Sequence, residues 1–274
     1  MTATVLFKEG RLQEAVDAQI LKIKNQPADK AARLFLVELF LFQGELDRAN
    51  KHLDMLSYDS PEAQAGLELY RRAWDAEGER RNVLAGRGQP FGLVDTLEHV
   101  RLRLQALEQY GQGHAAEGHA LVDQANAIMP AVEYHVDGQT VTGLRDADDL
   151  LSGVLEVFSR GRYCWVPFEH IEKLSIAEPK SPRDILYLPA HLTLQGSAEG
   201  DVLLPGIYVD SYRHEEEEIR LGRATDWLGT EDEPVRGAGG KTLLLAGQTK
   251  PLVHIREITA TSERLSAGSS SISP

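Results

Sequence analysis

A repeat of 34 residues in the first half of the chain is the feature that most constrains the fold. The segments GRLQEA (10–15) and GELDRA (44–49) share the pattern G-x-L-x-x-A, and a proline follows each glycine after 17 positions. This period is that of the tetratricopeptide repeat, a pair of antiparallel helices. In such a pair glycine permits the tight turn, alanine permits close helix approach, and proline ends the unit.

The repeat weakens after its second copy. Gly78 keeps the register, but Arg80 and Val83 replace the leucine and the alanine. Gly113 and Pro130 again lie 17 positions apart in a fourth, weak unit. Apolar residues at helical spacing, as in ARLFLVELFLF (32–42), support helices throughout this half. We therefore predict six to eight helices in stacked antiparallel pairs over residues 2–129.

Arrays of this kind bind a peptide or a helix in a groove lined by the first helix of each pair. In the second unit this helix directs Leu34, Glu38 and Leu41 into the groove. In the third unit it directs Arg72 and Asp75. These five residues are our candidates for partner binding. The alternative is that the array serves only as a scaffold or a dimer surface.

The helical period fades after Pro130, and short β-prone segments punctuated by glycine and proline follow. Asp137-Gly138 between two such segments indicates a hairpin. The segment 143–158 could carry one short helix begun at an Asp cap. We predict an α+β protein: a tetratricopeptide-like helical domain (1–129), a compact α+β domain of short strands (130–260), and a disordered tail (261–274).

The charge and the apolar pattern narrow the functional class. The formal net charge is −13 and no run of basic residues compensates it, which argues against nucleic-acid binding. The N-terminal residues lack the apolar core of a signal peptide, and no segment approaches the ~20 apolar residues of a membrane span. A single cysteine fits a reducing compartment. We expect a cytoplasmic protein that does not bind membranes.

Four motifs suggest chemistry, and each fails a structural requirement. The run RGAGGKT (236–242) lacks the first glycine of a phosphate-binding loop and is better interpreted as a glycine-rich hairpin. The histidines of HAAEGH (114–119) are five positions apart, not the four of a zinc-protease helix. DADD (146–149) lacks the glycine and glutamate of a calcium loop. RHEEEEIR (213–220) is interpreted as a solvated loop.

Cys164, between Tyr163 and Trp165, raises the question of a catalytic thiol. No base is placed beside it by the sequence, so we interpret it as a buried small residue. We predict no catalytic residue, no cofactor and no metal site. The rival hypothesis is an enzyme in the second half that uses Asp146, Asp148 or Glu156 as acid or base.

Spaced clusters in the second half resemble the ImpE family, also called TagJ, an accessory protein family of bacterial type VI secretion. They are GRYCWVPF (161–168), SPRDILYL (181–188), LLPGIYV (203–209) and LGRATDW (221–227), preceded by the pattern D-x-D…G…E. The first half also resembles the family's opening, so the resemblance covers nearly the whole chain. The matching positions include Asp146, Asp148, Glu156, Tyr163, Trp165, Pro167, Phe168, Arg183, Asp184, Tyr208, Arg223, Asp226 and Trp227.

The resemblance implies a binding role and no catalytic residue. Its implied partner is TssB, the small subunit of the contractile sheath. The N-terminal helix of TssB is the implied ligand. It also implies a link to ClpV, the ATPase that recycles the sheath. A tetratricopeptide-type cochaperone with another client is the alternative. For the signature residues we expect structural roles: ion pairs at Arg183-Asp184 and between Arg223 and Asp226, and core anchors at Trp165 and Trp227.

Overall fold

A computed structural model of the chain describes residues 1–230 and 233–261. Before Pro130 these residues form seven helices, which is within the predicted range. They are α1 (Ala3–Lys8), α2 (Leu12–Asn25), α3 (Lys30–Phe42), α4 (Leu46–Asp54), α5 (Pro61–Leu84), α6 (Glu98–Gly111) and α7 (Ala115–Ile128). Neighbouring helices contact each other in the pairs α1–α2, α3–α4 and α6–α7.

Glycine forms the turn inside each of these helix pairs. Gly10, Gly44 and Gly113 have φ values of 82°, 71° and 82°, a region that favours glycine. Two of the three turns are also closely packed: a Cβ at Gly44 would collide with the ring of Tyr212, and one at Gly10 with the carboxylate of Glu218. Around Gly113, by contrast, no atom lies within 4 Å of such a Cβ.

The third copy of the repeat does not form a helix pair. Gly78 lies inside α5, a single helix of 24 residues that begins at the cap Ser60 with Pro61 at its first position. The chain therefore continues straight through the position where the other units turn. The C-terminal half of α5 contacts the sheet through β4 and β5, defined below.

The second half consists of short strands. They are β1 (Glu133–Val136), β2 (Gln139–Thr142), β3 (Arg145–Asp146), β4 (Val154–Ser159), β5 (Arg162–Pro167), β6 (Ile171–Ile176), β7 (Tyr187–Leu194), β8 (Glu199–Pro205), β9 (Thr225–Leu228), β10 (Arg236–Gly239), β11 (Thr242–Leu245), β12 (Gln248–Pro251) and β13 (Glu257–Ala260). Two short helices interrupt them, α8 (Pro182–Leu186) and α9 (Glu217–Arg220).

Eight strands form one antiparallel sheet in the order β2-β1-β13-β6-β7-β8-β4-β5. A two-stranded sheet (β10-β9) and a three-stranded sheet (β12-β11-β3) complete the described part of the second half. The predicted hairpin is confirmed, since Val136 pairs with Gln139 across a turn in which Asp137 and Gly138 both have positive φ. A helical first half followed by an antiparallel sheet confirms the predicted α+β class.

The central strands of the large sheet carry core residues on both faces. Alternate residues of its strands point to opposite sides. Phe158 and Leu203 join the core of the helices. Their neighbours Val157 and Leu204 join a second core together with Leu243 of β11. Helices and sheet thus share one core, with the three-stranded sheet on the far side.

Three local expectations are wrong. Segment 143–158 forms no α-helix, because Asp148 caps only a turn before the chain enters β4. RGAGGKT is not a hairpin, because β10 pairs with β9 while β11 pairs with β12 and β3. The acidic run 213–220 is not wholly a loop, because it includes α9, whose Glu217 accepts a hydrogen bond from the backbone N–H of Gln13. Of the predicted disordered tail, residues 262–274 lie outside the described part of the chain.

Candidate functional site

Arg80 of α5 begins a buried ionic cluster that joins the helical half to the sheet. Its Nε lies 2.8 Å and its Nη2 3.2 Å from the two carboxylate oxygens of Glu156 on β4. The guanidinium also donates to the carbonyl of Ile207. Arg80 is only 3% exposed. Arg80 occupies the position where the repeat has leucine, so the departure from the pattern at this position has a tertiary cause.

Lys241 continues the cluster between two carboxylates. Its Nζ lies 2.8 Å from Glu156 and 2.5 Å from Asp146. The hydroxyl of Tyr208 donates to the other oxygen of Asp146 at 2.6 Å. The lysine comes from the run that resembles a phosphate-binding loop, but it is 2% exposed and points into the protein.

Asp148 extends the cluster to the two-stranded sheet. Its carboxylate accepts from Arg236 Nε at 2.9 Å and from the backbone N–H of Gly237 at 3.0 Å. It also accepts from the N–H of Leu150 at 3.0 Å. Asp148 therefore fixes the turn before β4 against β10.

The paired charges control the protonation of the cluster. Burial alone raises the pKa of Glu156, but the charges of Arg80 and Lys241 outweigh it and hold the pKa well below its ordinary value. Burial lowers the pKa of Lys241, and its two carboxylate partners reverse this shift and raise it. Burial raises the pKa of Asp146, with Lys241 opposing the change. Lys241 and Glu156 are thus both charged at neutral pH.

The rival enzyme hypothesis uses Asp146, Asp148 or Glu156. The structure brings the three close together, since Lys241 bridges Asp146 and Glu156 and the backbone N–H of Asp148 donates to Asp146. Each is 1% exposed, however, and each accepts hydrogen bonds from groups of the protein itself. The cavity that adjoins Arg80 and Tyr208 has only about 40 Å³, room for little more than a water molecule. The arrangement is suited to locking helix, sheet and turn together.

The GRYCWVPF segment supports this cluster from β5. Tyr163 donates its hydroxyl hydrogen to Glu156 at 2.6 Å and accepts one from the indole N–H of Trp165 at 2.5 Å. Pro167 and Phe168 are buried beyond them. Cys164 is fully buried on the opposite face of the strand, and burial raises the pKa of its thiol to about 11. Such a thiol is protonated at neutral pH and out of reach of a substrate.

The other predicted ion pairs have different outcomes. Arg183 and Asp184 do pair, at 2.9 Å, and Asp184 also accepts from the N–H groups of Lys180 and Ser181 at the start of α8. Arg223 and Asp226 do not pair with each other. Arg223 donates to the carbonyl groups of Phe7 and Lys8 at the end of α1, and Asp226 lies 3.1 Å from His214.

The expectation that Trp227 is a core anchor is also wrong. Its side chain is 39% exposed, whereas Trp165 is 4% exposed. Trp227 lies on β9, which pairs only with β10 in the described chain. One side of its ring contacts Tyr208. A two-stranded sheet offers no second layer to cover the other side.

The five candidate partner-binding residues are not brought together. Glu38 and Leu41 are buried, and Glu38 accepts a hydrogen bond from the hydroxyl of Tyr70 at 2.6 Å. Leu34 is half-buried, and Arg72 and Asp75 are exposed. Of the five, Arg72 lines the groove described next. A contribution of any of the five to binding stays a prediction.

That groove has a volume of about 530 Å³ and lies between α5 and the large sheet. Leu69, Arg72 and Ala73 of α5 form one wall. Most of the lining side chains are apolar, and Leu69 is 44% exposed. Sequence reasoning missed Leu69, which lies off the buried apolar stripe of Leu67, Tyr70 and Trp74 and shares its side of α5 with Arg72 and Ala73.

The floor of the groove is a sheet face that α5 covers only in part. Strand pairing places Ser175 beside His191, His191 beside Asp201, and Pro189 beside Leu203. Leu203 is buried under the helices, Pro189 is half-buried, and His191 and Asp201 are exposed. Part of this sheet face therefore lies uncovered beside α5, with space for a further helix or strand.

Within residues 1–230 and 233–261, no group of three or more His, Cys, Asp or Glu side chains is arranged to hold a metal ion. In the same residues, no helix combines the length and the apolar character needed to cross a membrane.

The fold and the groove define a class: an α+β protein with an apolar groove between its helical and sheet regions. Comparison with known proteins places it more narrowly. The family described as ImpE protein matches residues 138–259. Over 228 residues the chain is 36% identical to the type VI secretion system accessory component TagJ of Pseudomonas aeruginosa, covering 83% of this chain and 81% of that protein.

The chain therefore belongs to the ImpE/TagJ family, and the resemblance noted in the sequence is confirmed. A solved structure agrees over nearly the full length. The crystal structure of protein VPA1032 from Vibrio parahaemolyticus superposes with a TM-score of 0.84 at 26% identity, covering 95% of this chain and 97% of that one. The sequence similarity to TagJ supports an accessory role in type VI secretion.

Proposed function

We propose that this protein is a non-enzymatic adaptor of type VI secretion that binds the small sheath subunit, TssB, through the N-terminal helix of that subunit. The observation that carries this proposal is the groove between α5 and the sheet. Its volume of about 530 Å³ lies in the range of sites that bury a ligand.

The shape of the groove favours a helix as the ligand. Sheet faces in α+β proteins are covered by helices, and here Pro189 and His191 extend beyond the cover that α5 provides. A helix lying beside α5 would complete that layer. Its apolar anchors at i, i+3, i+4 and i+7 would contact Leu69 and the apolar floor.

Charge would assist the encounter. The formal net charge of −13 attracts a partner with a basic surface and raises the association rate at low salt. Captured in this way, the sheath subunit would be linked to ClpV-dependent recycling. We propose the cytoplasm as the setting, because that is where such a partner would be met.

The test is a binding titration with the sheath subunit of the same host, intact and without its first helix. We expect the intact subunit to bind and the shortened one to lose binding. Undiminished binding of the shortened subunit would contradict the proposal.

The groove itself is tested by Leu69→Asp, with Leu21→Asp as the matched control. Both leucines lie on helices and are exposed, at 44% and 59%, but Leu21 is on α2 and outside the groove. We expect Leu69→Asp to weaken binding at least about tenfold, roughly 1.4 kcal/mol, and Leu21→Asp to bind as the wild type does. Equal effects of the two variants on binding would show that the helix of the sheath subunit does not bind in the groove.

A further inference from the structure

A second apolar surface lies on the ribbon of β9 and β10, outside both the ionic cluster and the groove. Trp227, Leu228 and Val235 are 39%, 47% and 37% exposed. Leu228 and Ala238 also line a cavity of about 400 Å³ whose other wall is the segment 209–216. Alternation along the strands places Leu228 and Ala238 on the face that borders this cavity and Trp227 on the opposite face, so Leu228 is the large exposed apolar side chain at the cavity.

This surface is held rigidly. The backbone N–H of Val235 donates to Asp149 at 2.7 Å, and Arg236 pairs with Asp148 at 2.9 Å. At the other end of β10, the N–H of Gly239 donates to the Ser211 hydroxyl at 2.7 Å. Because the ribbon is fixed by these bonds, a ligand would meet a preformed surface and lose little entropy in ordering it.

The rim of the surface is acidic. Asp210, Glu215 and Glu216 line the cavity, against the single cation Arg213 among its lining residues. In the described chain the side chains of Glu215 and Glu216 form no ion pair and are exposed to solvent. Such carboxylates steer and orient a positively charged partner.

We propose that this surface, the acidic ribbon, binds a basic segment of a partner protein that inserts a large apolar side chain beside Leu228. The lining of the acidic ribbon shares no residue with that of the groove between α5 and the sheet. The protein therefore has two separate binding surfaces, as an adaptor that joins two partners requires. The second surface stands whether or not the sheath subunit binds in the groove.

The fluorescence anisotropy of a labelled peptide provides the measurement, because it reports binding without requiring a tryptophan at the cavity. The probe is a synthetic peptide of lysine with leucine at helical spacing, and the matched peptide carries glutamate in place of lysine. We expect a saturable rise in anisotropy with the lysine peptide, weakened by salt, and none with the glutamate peptide.

Two variants separate a built surface from general charge attraction. Leu228→Ser removes the apolar anchor without changing charge, and the Glu215→Lys/Glu216→Lys pair reverses the rim. The control Asp59→Lys/Asp123→Lys makes the same change in net charge at exposed positions outside the ribbon. We expect each ribbon variant to weaken the peptide at least about tenfold and the control less than about threefold.

Near-ultraviolet circular dichroism checks that each variant is folded. Absence of an anisotropy change with the lysine peptide would overturn the proposal. So would a control pair that weakens binding as much as the Glu215/Glu216 pair, because the attraction would then come from net charge alone.

Discussion

The two ends of helix α5 show opposite relations between charge and burial. At the C-terminal end Arg80 is buried against Glu156, with Lys241 completing the balance. In the N-terminal half, next to the middle of the helix, Arg72 is exposed and pairs with the exposed Glu68 at 3.6 Å. The first end has all of its charges matched within the chain and is closed. The N-terminal half, called the open end below, has exposed apolar surface at Leu69 and an exposed ion pair beside the groove.

This difference in burial indicates which part of α5 stabilises the fold. Removing one member of a buried ion pair leaves an uncompensated charge, which costs about 3–5 kcal/mol, while an exposed pair contributes about 0–1 kcal/mol. Stability should therefore depend on the closed end and binding on the open end. Four experiments test this division, in order of decreasing effect.

The largest effect is expected from Lys241→Met. It keeps the approximate size of the side chain but leaves Asp146 and Glu156 without their shared cation. We expect the free energy of unfolding, measured by urea denaturation, to fall by about 3–5 kcal/mol. Lys250→Met is the matched control, because Lys250 pairs with Asp137 at 2.7 Å but is 34% exposed. A change below about 1 kcal/mol is expected there, and similar losses for both lysines would remove the distinction between closed and exposed pairs.

The next effect concerns the connection from the closed end of α5 to the repeat turns. Arg81 donates to the carbonyl of Gly44 and stacks on Tyr212, which packs against Gly44. Gly44→Ala combines positive φ with a collision and should cost about 2–4 kcal/mol. Gly113→Ala has the same backbone demand without the collision and should cost about 1–2 kcal/mol. Equal losses in thermal denaturation would mean that Tyr212 moves aside freely.

The third experiment uses pH to isolate Glu156. Its pKa in the folded state lies below the ordinary value of 4.5, so the ionised side chain stabilises the fold above that pH. This contribution is lost as the pH falls through the folded-state pKa, at about 1.4 kcal/mol per unit of depression. We expect Glu156→Gln to lower stability at neutral pH and to flatten the acid side of the stability profile.

Asp146→Asn gives the opposite sign and serves as the comparison. Burial raises the pKa of Asp146, so the wild-type side chain takes up a proton more readily in the folded state. Its removal should therefore leave the acid loss as steep as in the wild type or steeper. Flattening by Asp146→Asn in urea titrations across this pH range would show that the two carboxylates have been assigned the wrong roles.

The smallest effect is expected at the open end. Leu69→Ser replaces an exposed side chain on the wall of the groove. The free energy of unfolding should change by less than about 0.5 kcal/mol, as at other surface positions. A loss above about 2 kcal/mol would show that this wall belongs to the core of the fold and is no free surface.

Local features were predictable from the sequence where they depend on neighbouring residues. The turns at Gly10 and Gly44 and the hairpin at Asp137-Gly138 follow from the ability of glycine to adopt positive φ. Helix α3 followed from the helical spacing of the apolar residues in ARLFLVELFLF, and its Leu36, Val37 and Phe40 are fully or almost fully buried. The α+β class followed from the change of period near Pro130.

The candidate site was less predictable. The family motifs identified Asp146, Glu156 and Tyr163 but did not predict their contacts. Lys241 was not singled out, because it lies in a run that resembles a phosphate-binding loop. The placement of Trp227 was wrong because burial depends on the number of layers around a strand, which side-chain type does not specify. Leu69 was missed because it lies off the apolar stripe of α5, and a single apolar residue outside such a stripe does not show which element lies beside it.

By itself the sequence determined the repeat turns, the helical first half, the strand-rich second half and the family. Each depends on residues close together in the chain or on motifs that can be recognised in order. Only the tertiary structure decided that Arg80 meets Glu156 across 76 residues and that Lys241 meets Asp146 across 95. A buried charge requires an opposite charge beside it, and which residue provides it is set by how strands and helices pack, not by spacing along the chain.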